Sequence, residues 1–257
     1  MASKPFAVIC EIEPATRPDL VRVRRQIGVL GTVAGAFLIP DNHIGRATVS
    51  SIAVAHEVAQ MGGRAIACLN ARDRNTLGFR RDLLTASAYG VDEFLFVYGD
   101  RPESGRRSDD LTVRTMIDEA RAFAAANGGR IEIGVATRLA PLPAWKAEAD
   151  TLFTQVAFSL DDLLAWRETV HFDGPVYAGV MVVASAQMGR KLSSDIAQLA
   201  VPNELIERVE RDRDAGVDAA CELVAEIRQS GAFDGVHLVS VARYREVAAR
   251  LEVLLAR

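Results

Sequence analysis

Aromatic side chains are scarce in this chain of 257 residues, at 6% of the total, although 49% of it is hydrophobic. Its apolar mass is therefore carried mainly by alanine, valine and leucine, and any core must be built from small branched side chains. Cysteine is scarcer still. Cys10, Cys68 and Cys221 form no CxxC pair, so neither a disulfide framework nor a zinc knuckle is indicated, and reduced core thiols are expected. The four histidines (His43, His56, His171 and His237) are scattered without metal-ligand spacing and read as ordinary packed or surface residues. No apolar run approaches the ~18 residues of a membrane span, and the start of the chain carries no signal-peptide pattern. A formal net charge of −4 offers no basic footprint for nucleic acid. Neither GxGxxG nor GxxxxGK[ST] occurs, so neither a Rossmann dinucleotide site nor a P-loop is expected. These absences lead to the expectation of a soluble, cytoplasmic α/β protein, with no membrane or nucleic-acid partner and with assembly into a homo-oligomer left open.

What is present is a rhythm. Short apolar runs at residues 6–11, 34–39, 64–69, 93–98, 131–137, 151–156, 176–183 and 236–240 have the length and composition of buried parallel strands. Helical patterning fills the intervals at 47–61, 77–89, 111–126 and 160–169, and a last helix covers 245–257. Gly62-Gly63, Gly90 and Gly128-Gly129 stand where helix ends need them, and Ser159 stands where an N-cap is needed. Eight strand–helix modules in one chain of this length predict a (β/α)8 TIM barrel, one domain over residues 1–257. Two intervals break the rhythm. Residues 138–150 contain Pro141 and Pro143 and leave room for at most a short, distorted turn of helix. Residues 184–234 hold more than one module needs: a helix near 187–198, a break at Val201-Pro202, and two further helical stretches ending near Arg228.

Barrel enzymes place their chemistry at the C-terminal ends of the strands. Four polar residues stand at such ends here: Glu11, Asp100, Gln155 and, just past the eighth strand, Arg243. The segments around them occur in a telling order: Cys10-Glu11-Ile12-Glu13-Pro14, Pro40-Asp41-Asn42, Ala71-Arg72-Asp73-Arg74-Asn75, Tyr98-Gly99-Asp100-Arg101-Pro102, Phe153-Thr154-Gln155, and His237 through Arg243. Together they resemble methylenetetrahydrofolate reductase, and the resemblance runs from residue 6 to about residue 250.

The resemblance implies reduction of 5,10-methylenetetrahydrofolate to 5-methyltetrahydrofolate with electrons from a reduced nicotinamide. Glu11 matches the general acid that protonates the departing nitrogen so that the bridging methylene opens to an iminium. An ordinary glutamate titrates near ~4.3, so this role calls for burial or a neighbouring carboxylate, and Glu13, two positions along a strand, is expected on the same face. Asp100 matches the aspartate that faces the pterin, where two acceptor oxygens suit paired N–H donors. Gln155 matches a folate-contacting glutamine, and Arg243 an arginine suited to the substrate's glutamate carboxylates.

The departures lie on the cofactor side. Flavin-dependent relatives carry a His-x-Thr-Cys-like segment in the third strand, where this chain has Cys68-Leu69-Asn70-Ala71. They carry Pro-Glu-x-His-Pro and a helix after the fifth strand, where it has Arg138-Leu139-Ala140-Pro141-Leu142-Pro143. The expectation is therefore that FAD and FMN are absent and that NADH, or NADPH, passes hydride directly to the iminium. Asn70, Arg72 and Arg138 are the candidate contacts to that nucleotide, with Arg101 near them. The alternatives are a flavin-dependent reductase of the usual type, a non-catalytic folate-binding or regulatory barrel that retains the pocket alone, and another one-carbon enzyme on the same scaffold.

Overall fold

The computed structural model describes residues 6–101, 103–196 and 199–255. Pro102 of the fourth segment, Gln198 at the end of the expected 187–198 helix, and Ala256 and Arg257 of the last lie outside the described residues. Eight parallel strands close into a barrel in sequence order: β1 Ala7–Glu11, β2 Ala36–Ile39, β3 Ala65–Asn70, β4 Glu93–Val97, β5 Glu132–Thr137, β6 Thr151–Val156, β7 Val176–Met181 and β8 Gly235–Val239. Closure comes from β8 pairing with β1, which sets His237 beside Ile9. Among the described residues nine α-helices surround the barrel: α1 Val21–Leu30, α2 Ser51–Gln60, α3 Thr76–Ala88, α4 Val113–Asn127, α5 Leu160–Thr169, α6 Ala186–Asp195, α7 Asn203–Arg211, α8 Ala215–Ser230 and α9 Tyr244–Leu255.

The alternation along each strand divides the apolar residues between two compartments. Val8, Cys10 and Ile12 face outward into the layer shared with the helices, as do Phe94, Phe96, Val236 and Leu238. Ile9, Ala36, Leu38, Ile66, Cys68, Leu95, Phe153 and Tyr177 face inward and fill the barrel. Below them, at the N-terminal ends, Arg64 clasps Glu93 through two hydrogen bonds of 2.6 Å and approaches Glu132 at 3.7 Å, so polar side chains meet the solvent at the lower end of the barrel. The chemistry is left to the upper mouth.

Helix boundaries follow their caps. Asn75 accepts from the Gly78 amide at the start of α3, Ser159 from the Asp162 amide at the start of α5, and Thr112 and Thr115 cap each other at the start of α4. The expected shortening after the fifth strand is present: residues 138–150 carry only a 3₁₀ segment, Ala144–Glu148, in place of a ring helix. A cavity of about 960 Å³ opens there on the outer side of the barrel, walled by Leu142, Pro143, Ala144 and, from α5, Trp166. The elaboration between β7 and β8 likewise resolves into α6, a break at Val201-Pro202, α7 and α8.

All three cysteines are buried and free. Burial is the main cause that pushes the Cys10 thiol up to about 12, with the neighbouring Cys221 adding to it. Cys221 is pushed up to about 12 by burial first and the Asp218 charge second. A native-state titration at pH 8 with a thiol-specific disulfide reagent is therefore expected to find no reactive cysteine, against three after unfolding. Because folded thiols titrate above their ordinary ~8.5, their contribution to stability is complete below that value and is lost as pH climbs towards about 12. The urea midpoint is thus expected to fall above about pH 8.5. A thiol that reacts at once in the native protein contradicts this assignment.

Candidate functional site

The inward positions above the core layer are half-buried side chains at the mouth of the barrel. Glu11 ends β1 there, and His237 stands on β8, which pairs with β1. The His237 Nε2 and a Glu11 carboxylate oxygen are 3.1 Å apart, with both side chains largely enclosed (12% and 14% exposed). Phe153 packs edge-on against the imidazole from below, ring centroids 6.1 Å apart. His237 was read from the sequence as an ordinary packed residue; barrel closure makes it the direct partner of Glu11 across 226 positions of sequence. A glutamate–histidine pair can hold one proton in a hydrogen bond, with either group as donor.

The expectation for Glu13 is corrected. The strand stops at Glu11, so its alternation no longer governs the residue two positions on. Glu13 is exposed and forms an ion pair with Arg22 of α1, while the Gln26 amide side chain bonds both its N–H and its carbonyl. Glu13 therefore serves the β1–α1 connection, and Glu11 has a histidine for a neighbour instead.

Asp100 and Gln155 lie at the same mouth. Gly99 precedes Asp100 with φ of +96°, and a Cβ there would stand 2.8 Å from the Asn70 Cβ, so both conformation and space require glycine. The turn leaves the Asp100 carboxylate exposed, with one oxygen accepting from the Ile44 amide at 3.0 Å. Gln155 sits where the β6–β7 register shifts, between Phe153 and Val156, and is half-buried. Such irregularities re-aim side chains beside active sites. Among the described residues, non-glycine residues with positive φ are confined to the connections after β2 (Asn42 and Ile44) and after β8 (Val241 and Ala242). Backbone strain thus collects on the face that carries Glu11 and Asp100.

Arg243 follows that strained turn, but its guanidinium points to protein partners. Nε donates to Glu246 at 3.0 Å, Nη1 to the Arg213 carbonyl at 2.8 Å, and Nη2 pairs with Asp214. The second hydrogen of each Nη remains for another acceptor.

The candidate nucleotide contacts divide. Asn70 is buried and fully engaged: its amide donates to Asp41 at 2.7 Å and to Asp73 at 3.0 Å, and its oxygen accepts from the Asp73 amide at 2.9 Å. It belongs to a network that includes Arg74, which bonds Asp41, the Asn70 carbonyl and Asp82. Arg138 is exposed at the end of β5, close enough to Lys146 that burial first and this charge second lower the lysine's affinity for its proton. Arg72 lies after β3 against Tyr98, in a recess it shares with Arg101.

Comparison with known proteins adds two findings. A family profile described as Methylenetetrahydrofolate reductase matches residues 144–254. Gln155, His237 and Arg243 fall inside that match; Glu11 and Asp100 fall outside it. No curated protein sequence matches. Among solved structures, an uncharacterized protein from Clostridium thermocellum that binds two copies of 5-methyl-5,6,7,8-tetrahydrofolic acid superposes with a TM-score of 0.70 at 11% identity, covering 99% of this chain and 97% of that one. A mutant tryptophan synthase α-subunit from Pyrococcus furiosus gives 0.56 at 13% identity, with 99% of each chain covered. A chitinase from Ipomoea carnea gives 0.53 at 13% identity over 96% of this chain and 99% of its own. At these identities the structural likenesses establish the barrel and nothing narrower. Two of the six segments read from the sequence, Phe153-Thr154-Gln155 and His237 through Arg243, fall within the residues that this profile matches.

Proposed function

We propose that this chain, carrying that family match in its C-terminal part, reduces 5,10-methylenetetrahydrofolate to 5-methyltetrahydrofolate with hydride taken directly from NADH or NADPH. The single observation that carries this reading is the Glu11–His237 contact. It joins an acid lying outside the matched residues to a histidine within them, at the mouth where barrel enzymes work. Opening the methylene bridge breaks its bond to one folate nitrogen, and a proton must reach that nitrogen as the bond pair departs. A protonated Glu11 supplies it, and His237 fixes the carboxyl's orientation. Hydride then adds both electrons to the iminium carbon, so substrate, one proton and one reduced nicotinamide yield product and oxidised nicotinamide. Asp100, with an exposed carboxylate, receives the pterin's paired N–H donors, and Gln155 gives and accepts on the same edge. The free N–H groups of Arg243 suit a carboxylate of the glutamate tail.

The residues at the flavin-side positions support direct transfer. Cys68 points into the apolar barrel interior with Ile66 and Leu95. Asn70 has no amide hydrogen to offer either a flavin or the nicotinamide nucleotide to which the sequence assigned it, so the support comes from the 3₁₀ segment that replaces the helix after β5. The folate-binding neighbour from Clostridium thermocellum favours one competitor, a barrel that holds 5-methyltetrahydrofolate without reducing its precursor. One preparation separates these readings. Purified protein is expected to lack flavin absorbance and, given methylenetetrahydrofolate, to consume NADH or NADPH in step with 5-methyltetrahydrofolate formed. Flavin bands retained by active protein overturn direct transfer. Tight folate binding with neither nicotinamide consumed overturns the reductase.

A further inference from the structure

The connections after β3 and β4 border an open recess of about 480 Å³ lined by Arg72, Arg101, Arg107, Glu103, Ser104 and Gly105. In a chain whose net charge is −4, the lining sets three guanidiniums against one carboxylate; Asp109 pairs with Arg107 at 2.9 Å, so the local excess of positive charge rests on Arg72 and Arg101. The Glu103 carboxylate is itself turned towards Arg46, 3.6 Å away. Arg72 and Arg107 are set by the protein's own contacts. Arg72 lies over the Tyr98 ring, its guanidinium carbon 5.1 Å from the centroid, and Arg107 donates to the same tyrosine's hydroxyl at 3.0 Å. The Arg72 backbone bonds the Tyr98 carbonyl at 3.0 Å and the Ser108 amide at 2.7 Å, pinning both ends of the loop that carries the other two arginines. The Nε–H of Arg72 is buried and, among the described residues, has no hydrogen-bond partner. A buried donor left unmatched is costly, and an acceptor that reaches it removes the penalty.

We infer that this recess binds a doubly charged oxyanion carried, away from the reacting ring, by a ligand whose ring lies at the barrel mouth. Planar guanidinium forks suit phosphate and carboxylate oxygens, and Arg101 directly follows Asp100, so ring recognition and anion recognition share one loop. Two sources offer this chemistry: the diphosphate of a nicotinamide dinucleotide, and the paired carboxylates of a folate glutamate tail, the second of which would take that tail away from Arg243. The assignment of sources rests on the reductase reading; the anion site does not.

Inorganic pyrophosphate is the first probe, titrated calorimetrically into the whole protein and into the double variant Arg101→Gln/Arg107→Gln. Both substituted side chains are exposed, so an unchanged melting temperature is expected to show an intact fold. Wild type is expected to bind pyrophosphate and the variant to bind it at least tenfold more weakly. NADH and 5-methyltetrahydrofolate are then titrated separately. A tenfold loss confined to NADH identifies the diphosphate, and a loss confined to the folate identifies its carboxylates. Equal pyrophosphate binding by both proteins overturns the site. Pyrophosphate binding lost in the variant, with neither NADH nor folate bound by wild type, upholds the site and removes the reductase reading instead.

Discussion

Glu11→Gln is expected to lower kcat for NADH-dependent reduction by about 10²–10⁴-fold, the usual contribution of a positioned general acid. The substitution keeps the size of the side chain and a group able to hydrogen-bond His237, 3.1 Å away, so the barrel mouth retains its shape. What it removes is a proton that can be released to the departing folate nitrogen. Because that proton is needed only as the bond breaks, kcat and kcat/KM are expected to fall together while folate affinity holds. His237→Asn separates acid from positioner: the carboxyl remains, its orientation is loosened, and the pH profile of kcat is expected to move with a smaller loss of rate. Steady-state and single-turnover rates across pH, with the melting temperature as a control on folding, measure all of this. Retention of more than about a tenth of wild-type turnover by Glu11→Gln removes the glutamate from the acid role, since general acids contribute far more than that.

The strand ends were legible because a buried parallel strand is a short apolar run, and a polar residue closing one is visible in sequence alone. Glu11, Asp100 and Gln155 all stand at the barrel mouth on that basis. The prolines at 141 and 143 likewise announced the lost helix after β5. His237 was not legible, since its meaning depends on β8 pairing with β1, a relation between the two ends of the chain that no local pattern encodes. Glu13 misled for the opposite reason: a period-2 rule was extended past the last strand residue, where Arg22 and Gln26 of α1 set the geometry instead. That helix, Val21–Leu30, was not read from the sequence although Val23, Ile27 and Leu30 keep helical spacing, because its buried face is short and includes the polar Gln26. Asn70 presents the same kind of difficulty. Its side chain looks available in sequence, but Asp41, 29 positions earlier, and Asp73 take both amide hydrogens.

That network carries the largest expected effect on stability. The Asp41 side chain is 5% exposed and accepts from the Asn70 backbone amide at 3.0 Å, from the Asn70 side chain at 2.7 Å and from Arg74. Asp41→Ala would leave these donors unmatched beside a guanidinium that is itself only 13% exposed. Breaking a buried pair by removing one partner costs about 3–5 kcal/mol, and Arg74's second contact, to Asp82 at 2.8 Å, places the expectation near the lower figure. For a chain of this size that is a fall in melting temperature of roughly 6–12 °C. Asp41→Asn keeps an oxygen acceptor and loses only the charge, so its loss should be clearly smaller. The network also joins the mouth's connections: Asp73 accepts from Asn42, in the strained loop whose Ile44 amide holds Asp100. Loss of Asp41 is therefore expected to raise the folate KM as well as to lower the melting temperature. A variant that melts within about 2 °C of wild type would mean that Arg74 finds its compensation in Asp82 and solvent, and that β2 and β3 are tied by their ladder alone.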